Sequence, residues 1–186
     1  MQQDSHQIIV IPANDNPARG ILRVGDREFP CALGKKGIAR LKVEGDMKTP
    51  AGNFPLRAVF YRYDKLSKPI YSRVPLMALL EDDGWCDDPR DQAYNQPVML
   101  PYHASAEKLW REDDVYDVIV VLGHNDNPVE KGQGSAIFLH VAREVQRDGD
   151  EPTFDGTEGC IAVKKQHLLE ILPILSSETT LKVMIH

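Results

Sequence analysis

Residues 135–143 read S-A-I-F-L-H-V-A-R, and residues 157–163 read T-E-G-C-I-A-V. The run 136–139 is short, apolar and rich in branched or aromatic side chains, which predicts a buried strand that ends at His140. Residues 161–163 predict the start of a second strand, with Cys160 at its mouth. The segment between them, 143–156, is polar and is predicted to be a surface loop. The two runs therefore indicate a sheet with a thiol at one strand end and an imidazole at another.

This pairing of side chains suits nucleophilic acyl transfer. Imidazole takes the thiol proton or pairs with the thiolate, and the thiolate attacks a carbonyl carbon. A thiolate–imidazolium pair can be populated at neutral pH in such a setting. Gly159 allows a tight turn at which the amides of Gly159 and Cys160 could face an oxyanion. The same residues are also compatible with a buried core thiol beside a core histidine.

Composition sets the class of protein. The chain has 186 residues, of which 42% are hydrophobic and 27% charged, which predicts one folded domain over residues 1–186. Its net charge of −6 argues against a nucleic-acid partner. No apolar run is long enough for a membrane span, and the first residues lack the features of a secretory signal. A cytoplasmic location is therefore expected, or a periplasmic one if a leader precedes this sequence; three cysteines without framework spacing fit a reducing compartment.

The remaining pattern is mostly strand. Residues 105–111 predict a short helix with Ser105 as its N-cap, and apolar spacing after residue 164 predicts a second helix that Pro173 ends. The acidic stretch 81–101 is predicted to be an ordered surface loop. Further strands are predicted at 8–11, 21–24, 29–33, 56–63, 116–122 and 181–185.

Three segments carry a resemblance to a known family. His140 followed by Thr157-Glu158-Gly159-Cys160, together with residues 44–56 (E-G-D-M-K-T-P-A-G-N-F-P-L) and 116–125 (Y-D-V-I-V-V-L-G-H-N), resembles the YkuD-type L,D-transpeptidase catalytic domain. The similarity covers about residues 20–185. It implies a mainly β fold, a twisted β-sandwich or flattened barrel with two or three short helices.

The resemblance also implies a reaction. Cys160 is the expected nucleophile, His140 the base, and Gly159 part of the oxyanion site. The implied substrates are peptidoglycan stem tetrapeptides or soluble muropeptides, attacked at the carbonyl of the third residue, a diamino acid, with release of D-alanine. Transfer to an amine gives L,D-transpeptidation and transfer to water gives L,D-carboxypeptidation. Carbapenems are the expected covalent inhibitors, and no cofactor or metal is expected.

Four more residues are candidates for binding substrate, and two positions depart from the family pattern. The candidates are Thr157, Glu158, His124 and Asn125. The family commonly has histidine or arginine where this chain has Glu158, and arginine or asparagine where it has Ala162, so less positive charge is expected near the thiol. Two alternatives stay open: a catalytically silent domain that binds wall peptides, and a zinc hydrolase that uses His124, His140 and Cys160.

Overall fold

The structure is a computed structural model, and it describes residues 7–145 and 153–185. In chain order its strands are β1 (Gln7–Pro12), β2 (Arg19–Val24), β3 (Arg27–Ala32), β4 (Ile38–Ala39), β5 (Thr49–Pro50), β6 (Gly52–Tyr61), β7 (Leu76–Ala78), β8 (Asp83–Cys86), β9 (Pro97–Met99), β10 (Ala106–Lys108), β11 (Val118–Leu122), β12 (Phe138–Val141), β13 (Glu144–Val145), β14 (Thr153–Phe154), β15 (Ile161–Val163) and β16 (Thr180–Val183). The described helical elements are α1 (Lys165–Ile171) and two 3₁₀ turns, Asp114–Tyr116 and Leu172–Ile174.

Eight strands close into a barrel. Their order around it is β11, β12, β15, β3, β2, β1, β16 and β6, and β6 pairs with β11 to complete the ring. The long strand β6 makes this closure possible, because its first half pairs with β16 and its second half with β11. Strand β7 adds to the free side of that second half. The predicted mainly β, flattened-barrel fold is confirmed.

Alternation of side chains along the strands builds two apolar layers. In β11, Val118, Val120 and Leu122 join the main core, whereas Ile119 and Val121 face a second cluster on the other side of the sheet. This outer cluster also contains Trp85 and Leu109, which come from the region of the small β9–β8–β10 sheet. All five residues of β11 are therefore buried, and the outer side of β11 and β12 is covered.

The predicted helix at 105–111 is wrong. Residues 106–108 form β10, in which Glu107 lies opposite Trp85 of β8. A seven-residue segment is too short to be helical by itself, so pairing with β8 decides its conformation.

The predicted surface loop at 81–101 is also only partly right. It contains β8 and β9, and Trp85, Cys86 and Tyr94 are buried in it. Acidic residues flank these buried side chains in the sequence, and they gave the stretch the composition of an exposed loop.

Strand β12 begins two residues later than predicted, and His140 is its third residue rather than its end. Ala136 has φ = 51°, which is incompatible with a strand. In the predicted loop 143–156, β13 and β14 pair with each other, and residues 146–152 lie outside the described residues. Among the described helices, none is long and apolar enough to cross a bilayer.

Candidate active site

Adjacent strands position the predicted nucleophile and base. Strands β12 and β15 run parallel, with Leu139 opposite Ile161 and His140 opposite Ala162. Cys160 immediately precedes β15, and its sulfur accepts a hydrogen bond from the Phe138 amide at 3.4 Å. Phe138 and His140 are two residues apart on one strand and so face the same side of the sheet. Cys160 and His140 both line a single cavity of about 610 Å³.

The Cys160 thiol is neutral in this arrangement. Its Sγ donates to the Ala136 carbonyl oxygen at 3.2 Å, an interaction that only the protonated thiol can make. Burial raises the pKa of Cys160 to about 12, and the negative charge of Glu107 acts in the same direction. The Phe138 amide and the Lys42 ammonium oppose this rise but do not offset it.

His140 is also neutral. Its Nδ1 lies 2.9 Å from the Val141 carbonyl oxygen, and the Val115 backbone makes a further hydrogen bond to the ring. The Tyr116 ring packs edge-on against the imidazole at 5.2 Å between centroids. Burial lowers the pKa of His140 to about 4.

These pKa shifts are opposite to those of a thiolate–imidazolium pair. Burial thus favours the neutral form of each group in this arrangement, and population of the ion pair at neutral pH stays a prediction. Desolvation by burial is the largest cause of both pKa shifts.

Thr157 and Gly159 build the turn that leads to the nucleophile. The Thr157 hydroxyl donates to the Cys160 carbonyl oxygen at 2.6 Å and accepts from the Gly159 amide at 3.1 Å. Gly159 has φ = 149°, and a Cβ there would lie 3.0 Å from the Lys48 carbonyl oxygen. Thr49 adds a second hydroxyl that donates to the Cys160 carbonyl at 3.3 Å. The Thr157 hydroxyl is thus used within the turn, although the residue also lines the cavity.

The two departures from the family pattern have different structural settings. The Glu158 side chain is 79% exposed and pairs with Lys35 at 3.6 Å at the rim of the cavity, and its negative charge contributes to the raised pKa of Cys160. Ala162 is buried in a cluster with Ala32 and Ala142, and it also lines the large cavity.

His124 and Asn125 do not line the cavity of the Cys160 thiol. His124 lines a second cavity of about 210 Å³, and its Nε2 lies 2.9 Å from the Gln133 carbonyl oxygen. The Asn125 amide donates to the Glu130 and Gly134 carbonyl oxygens, both at 2.9 Å. Their predicted substrate-binding role stays a prediction.

Sequence reasoning missed several residues on the wall of the large cavity. Lys42 is buried, with its Nζ paired with the Asp46 carboxylate, and its charge favours the Cys160 thiolate. Glu107 accepts a hydrogen bond from the Tyr116 hydroxyl at 2.6 Å, and burial raises the pKa of Glu107. The spacing of Lys42 and Asp46 was visible in the sequence, but nothing local indicated that the lysine turns inward.

The described residues contain no group of three or more His, Cys, Asp and Glu side chains placed to hold a metal ion. The three ligands proposed for a zinc hydrolase are divided, because His124 lines the smaller cavity and Cys160 the larger. That alternative has no assembled ligand set within residues 7–145 and 153–185.

Comparison with known proteins gives one family. The family model described as YkuD, L,D-transpeptidase catalytic domain, matches residues 5–185 of the chain. No curated protein and no solved structure matches it.

Proposed function

The chain belongs to the YkuD family of L,D-transpeptidase catalytic domains, and from that premise we propose that Cys160 carries out acyl transfer on peptidoglycan stem tetrapeptides. One observation carries the proposal. The only thiol of the three that lines the large cavity shares that cavity with His140, while Cys31 and Cys86 are buried elsewhere among the described residues.

The proposed first step transfers the acyl group to the enzyme. The Cys160 sulfur attacks the carbonyl carbon of the third stem residue, and its proton passes to His140. The C–N bond to the terminal D-alanine breaks, and the proton moves from His140 to the departing amine. Because both groups rest in their neutral forms, thiol deprotonation accompanies attack instead of preceding it. This requires the imidazole to exchange a backbone carbonyl for the thiol as its partner when substrate enters.

The second step resolves the thioester. An amine acceptor gives a new amide bond and a cross-link, whereas water gives the free carboxylate of a tripeptide; in both cases the thiol regains its proton. We propose that Gly159 and Cys160 amides bind the oxyanion in each step. The Gly159 amide must then leave the Thr157 hydroxyl that it contacts at rest.

The charges on the cavity wall support a diamino acid at the third position. Lys42 and Arg111 are each paired with a neighbouring aspartate. Glu107 forms no ion pair with any described residue, and the buried Oδ1 of Asp87 has no hydrogen-bond partner among them. Both carboxylates line the cavity of the thiol, so they are the groups with which an amino group of the substrate would pair.

Intact-mass spectrometry with a carbapenem tests the proposal. We expect one covalent addition per chain, and we expect Cys160→Ala to abolish it while Cys86→Ala retains it. Absence of the addition in the parent protein, with the fold intact, would contradict the role of Cys160.

The raised pKa of the Cys160 thiol favours a second candidate, a silent domain that binds wall peptides. Incubation with purified tetrapeptide separates the two candidates: the enzyme releases D-alanine, and the silent domain binds equally well with Cys160→Ala and releases none.

Adding a diamino-acid acceptor to the same reaction distinguishes the two outcomes of the enzyme, because only a transpeptidase forms the mixed product. If Glu107 and Asp87 bind the amino group of the third residue, acetylation of that amine should slow the release of D-alanine.

A further inference from the structure

Asn95 is a buried asparagine in the loop between β8 and β9, and its side chain links three segments. Its Oδ1 accepts from the Trp85 indole and from the Ala136 amide, both at 3.0 Å. Its Nδ2 donates to the carbonyl oxygens of His124 at 3.0 Å and Asn125 at 2.7 Å. All four hydrogen-bonding positions of the amide are therefore occupied.

The contact with Ala136 bears directly on the nucleophile. Ala136 is buried and has φ = 51°, a left-handed conformation that is unfavourable for a residue with a Cβ. Its carbonyl oxygen is the acceptor of the Cys160 thiol at 3.2 Å. Asn95 thus binds the amide of the same residue whose carbonyl accepts from the thiol.

A second connection, through Glu44, joins the residues that immediately precede Asn95 and Ala136. The Tyr94 and Ser135 hydroxyls both donate to Oε2 of Glu44. Residues 94 and 95 thus hold residues 135 and 136 at two consecutive positions. Glu44 is itself anchored through its backbone amide, which donates to the Gly132 carbonyl oxygen at 2.8 Å. Two such links leave the segment before β12 little freedom to rotate.

We propose that Asn95 is a positioning residue for Cys160, which acts by holding Ala136 in its left-handed conformation so that the sulfur is fixed between the Ala136 carbonyl and the Phe138 amide. This rests on the proposed role of Cys160 as nucleophile. Without the Asn95 side chain, Ala136 relaxes toward the right-handed or extended region, and its carbonyl turns away from the sulfur. The thiol then loses both its acceptor and its orientation.

Three variants isolate this action. Asn95→Gly removes the side chain and still adopts the φ of 58° found at this position without strain. Asn95→Asp retains an oxygen acceptor for the Ala136 amide but loses the two donors. Asp91→Ala is the matched control. It loosens the same loop, because Asp91 accepts from the Ala93 amide and the Tyr102 hydroxyl, and Asp91 forms no hydrogen bond or ion pair with the described residues 134–138.

Iodoacetamide labelling of Cys160 is the main measurement, followed at that residue by peptide mass spectrometry from pH 7 to 11. We expect Asn95→Gly to label about threefold or more faster than the parent at pH 8, with its rate profile moved to lower pH, because the thiol is freed from its acceptor. Release of D-alanine from tetrapeptide should fall by about tenfold to a hundredfold, mainly in kcat. We expect Asn95→Asp to label at nearly the parent rate. Asp91→Ala should change thermal stability but neither labelling nor turnover.

Loss of structure would also expose the buried Cys160 thiol and lower turnover. The comparison with Asp91→Ala at matched thermal stability therefore separates a positioning role from general destabilisation. The proposal is overturned if Asn95→Gly labels like the parent, or if it and Asp91→Ala behave alike at equal thermal stability. Labelling needs no substrate, so it tests Asn95 even if the parent protein releases no D-alanine; that result would instead contradict the proposed function.

Discussion

Gly159 shows how much of the site depends on a single residue. Its φ of 149° and the Lys48 carbonyl 3.0 Å from where a Cβ would stand leave room for glycine alone. We expect Gly159→Ala to lower the free energy of unfolding by about 2 kcal/mol or more and to reduce covalent labelling by carbapenem, because the turn must move to relieve the contact. Urea unfolding and intact mass measure the two effects.

Gly25→Ala is the matched control for this substitution. Gly25 has φ = 57°, but nothing lies within 4 Å of its added Cβ, so only the backbone conformation is disfavoured there. We expect a loss of about 1 kcal/mol with unchanged labelling. Equal effects at the two glycines would show that the Lys48 contact is unimportant.

His140 gives the protein a pH-dependent stability. Burial lowers its pKa from 6.5 to about 4, so between these values the unfolded chain binds a proton that the folded protein does not. The free energy of unfolding therefore falls as pH is lowered through this window, by about 3 kcal/mol for this group. Urea unfolding from pH 7.5 to 4 measures the slope, and NMR of the imidazole gives the midpoint. A midpoint near 6.5, or the same slope in a folded His140→Gln variant, would contradict this.

For single residues, the sequence identifies those with distinctive chemistry but misses the residues that contact and position them. Cys160, His140 and Gly159 stand in a short local pattern, and each lies where that pattern predicts, on or beside two strands. Asn95 and Glu107 act through segments that are distant in the chain, so no local spacing reveals them. The protonation states also escape the sequence, because they are set by burial.

Among the secondary-structure elements, strand β10 shows most clearly that pairing with a neighbouring strand overrides local helix propensity. Ser105 and Glu107 have the spacing of a helix start, yet residues 106–108 pair with β8. We expect Ser105→Ala to change the melting temperature by less than about 1 °C, because no helix is capped there. Lys108→Thr, at an exposed strand position, should be neutral or slightly stabilising. A loss of about 1 kcal/mol on Ser105→Ala would indicate a cap.

Strands with plain alternation or an uninterrupted apolar run were predicted within a few residues, as in β1 and β11. The errors fall where a contact overrides the pattern. Strand β12 starts late because Ala136 is held left-handed, and the region of β8 and β9 looks like loop because aspartates flank its buried aromatic residues. Both errors surround the cavity of Cys160.

On the scale of the whole molecule, barrel closure predicts a gradient of local stability. Strand β11 is buried on both faces and paired on both edges, with β6 and β12. We expect its amides to show the slowest hydrogen exchange in the protein, and those of β7 and β13, which lie outside the ring, to exchange orders of magnitude faster. Exchange followed by NMR measures this; similar protection in β7 and β11 would contradict it.

Strand β16 is the last of the described strands, yet it lies between β1, the first of them, and β6. A nascent polypeptide emerging from the ribosome therefore has every residue of the Cys160 cavity before it has the strand that joins the two sides of the ring. Until residues 180–183 are released, β1 and β6 each present an unpaired edge to their surroundings. The ring therefore closes only after residues 180–183 have been released, and the segments that carry Cys160 and His140 wait for that closure.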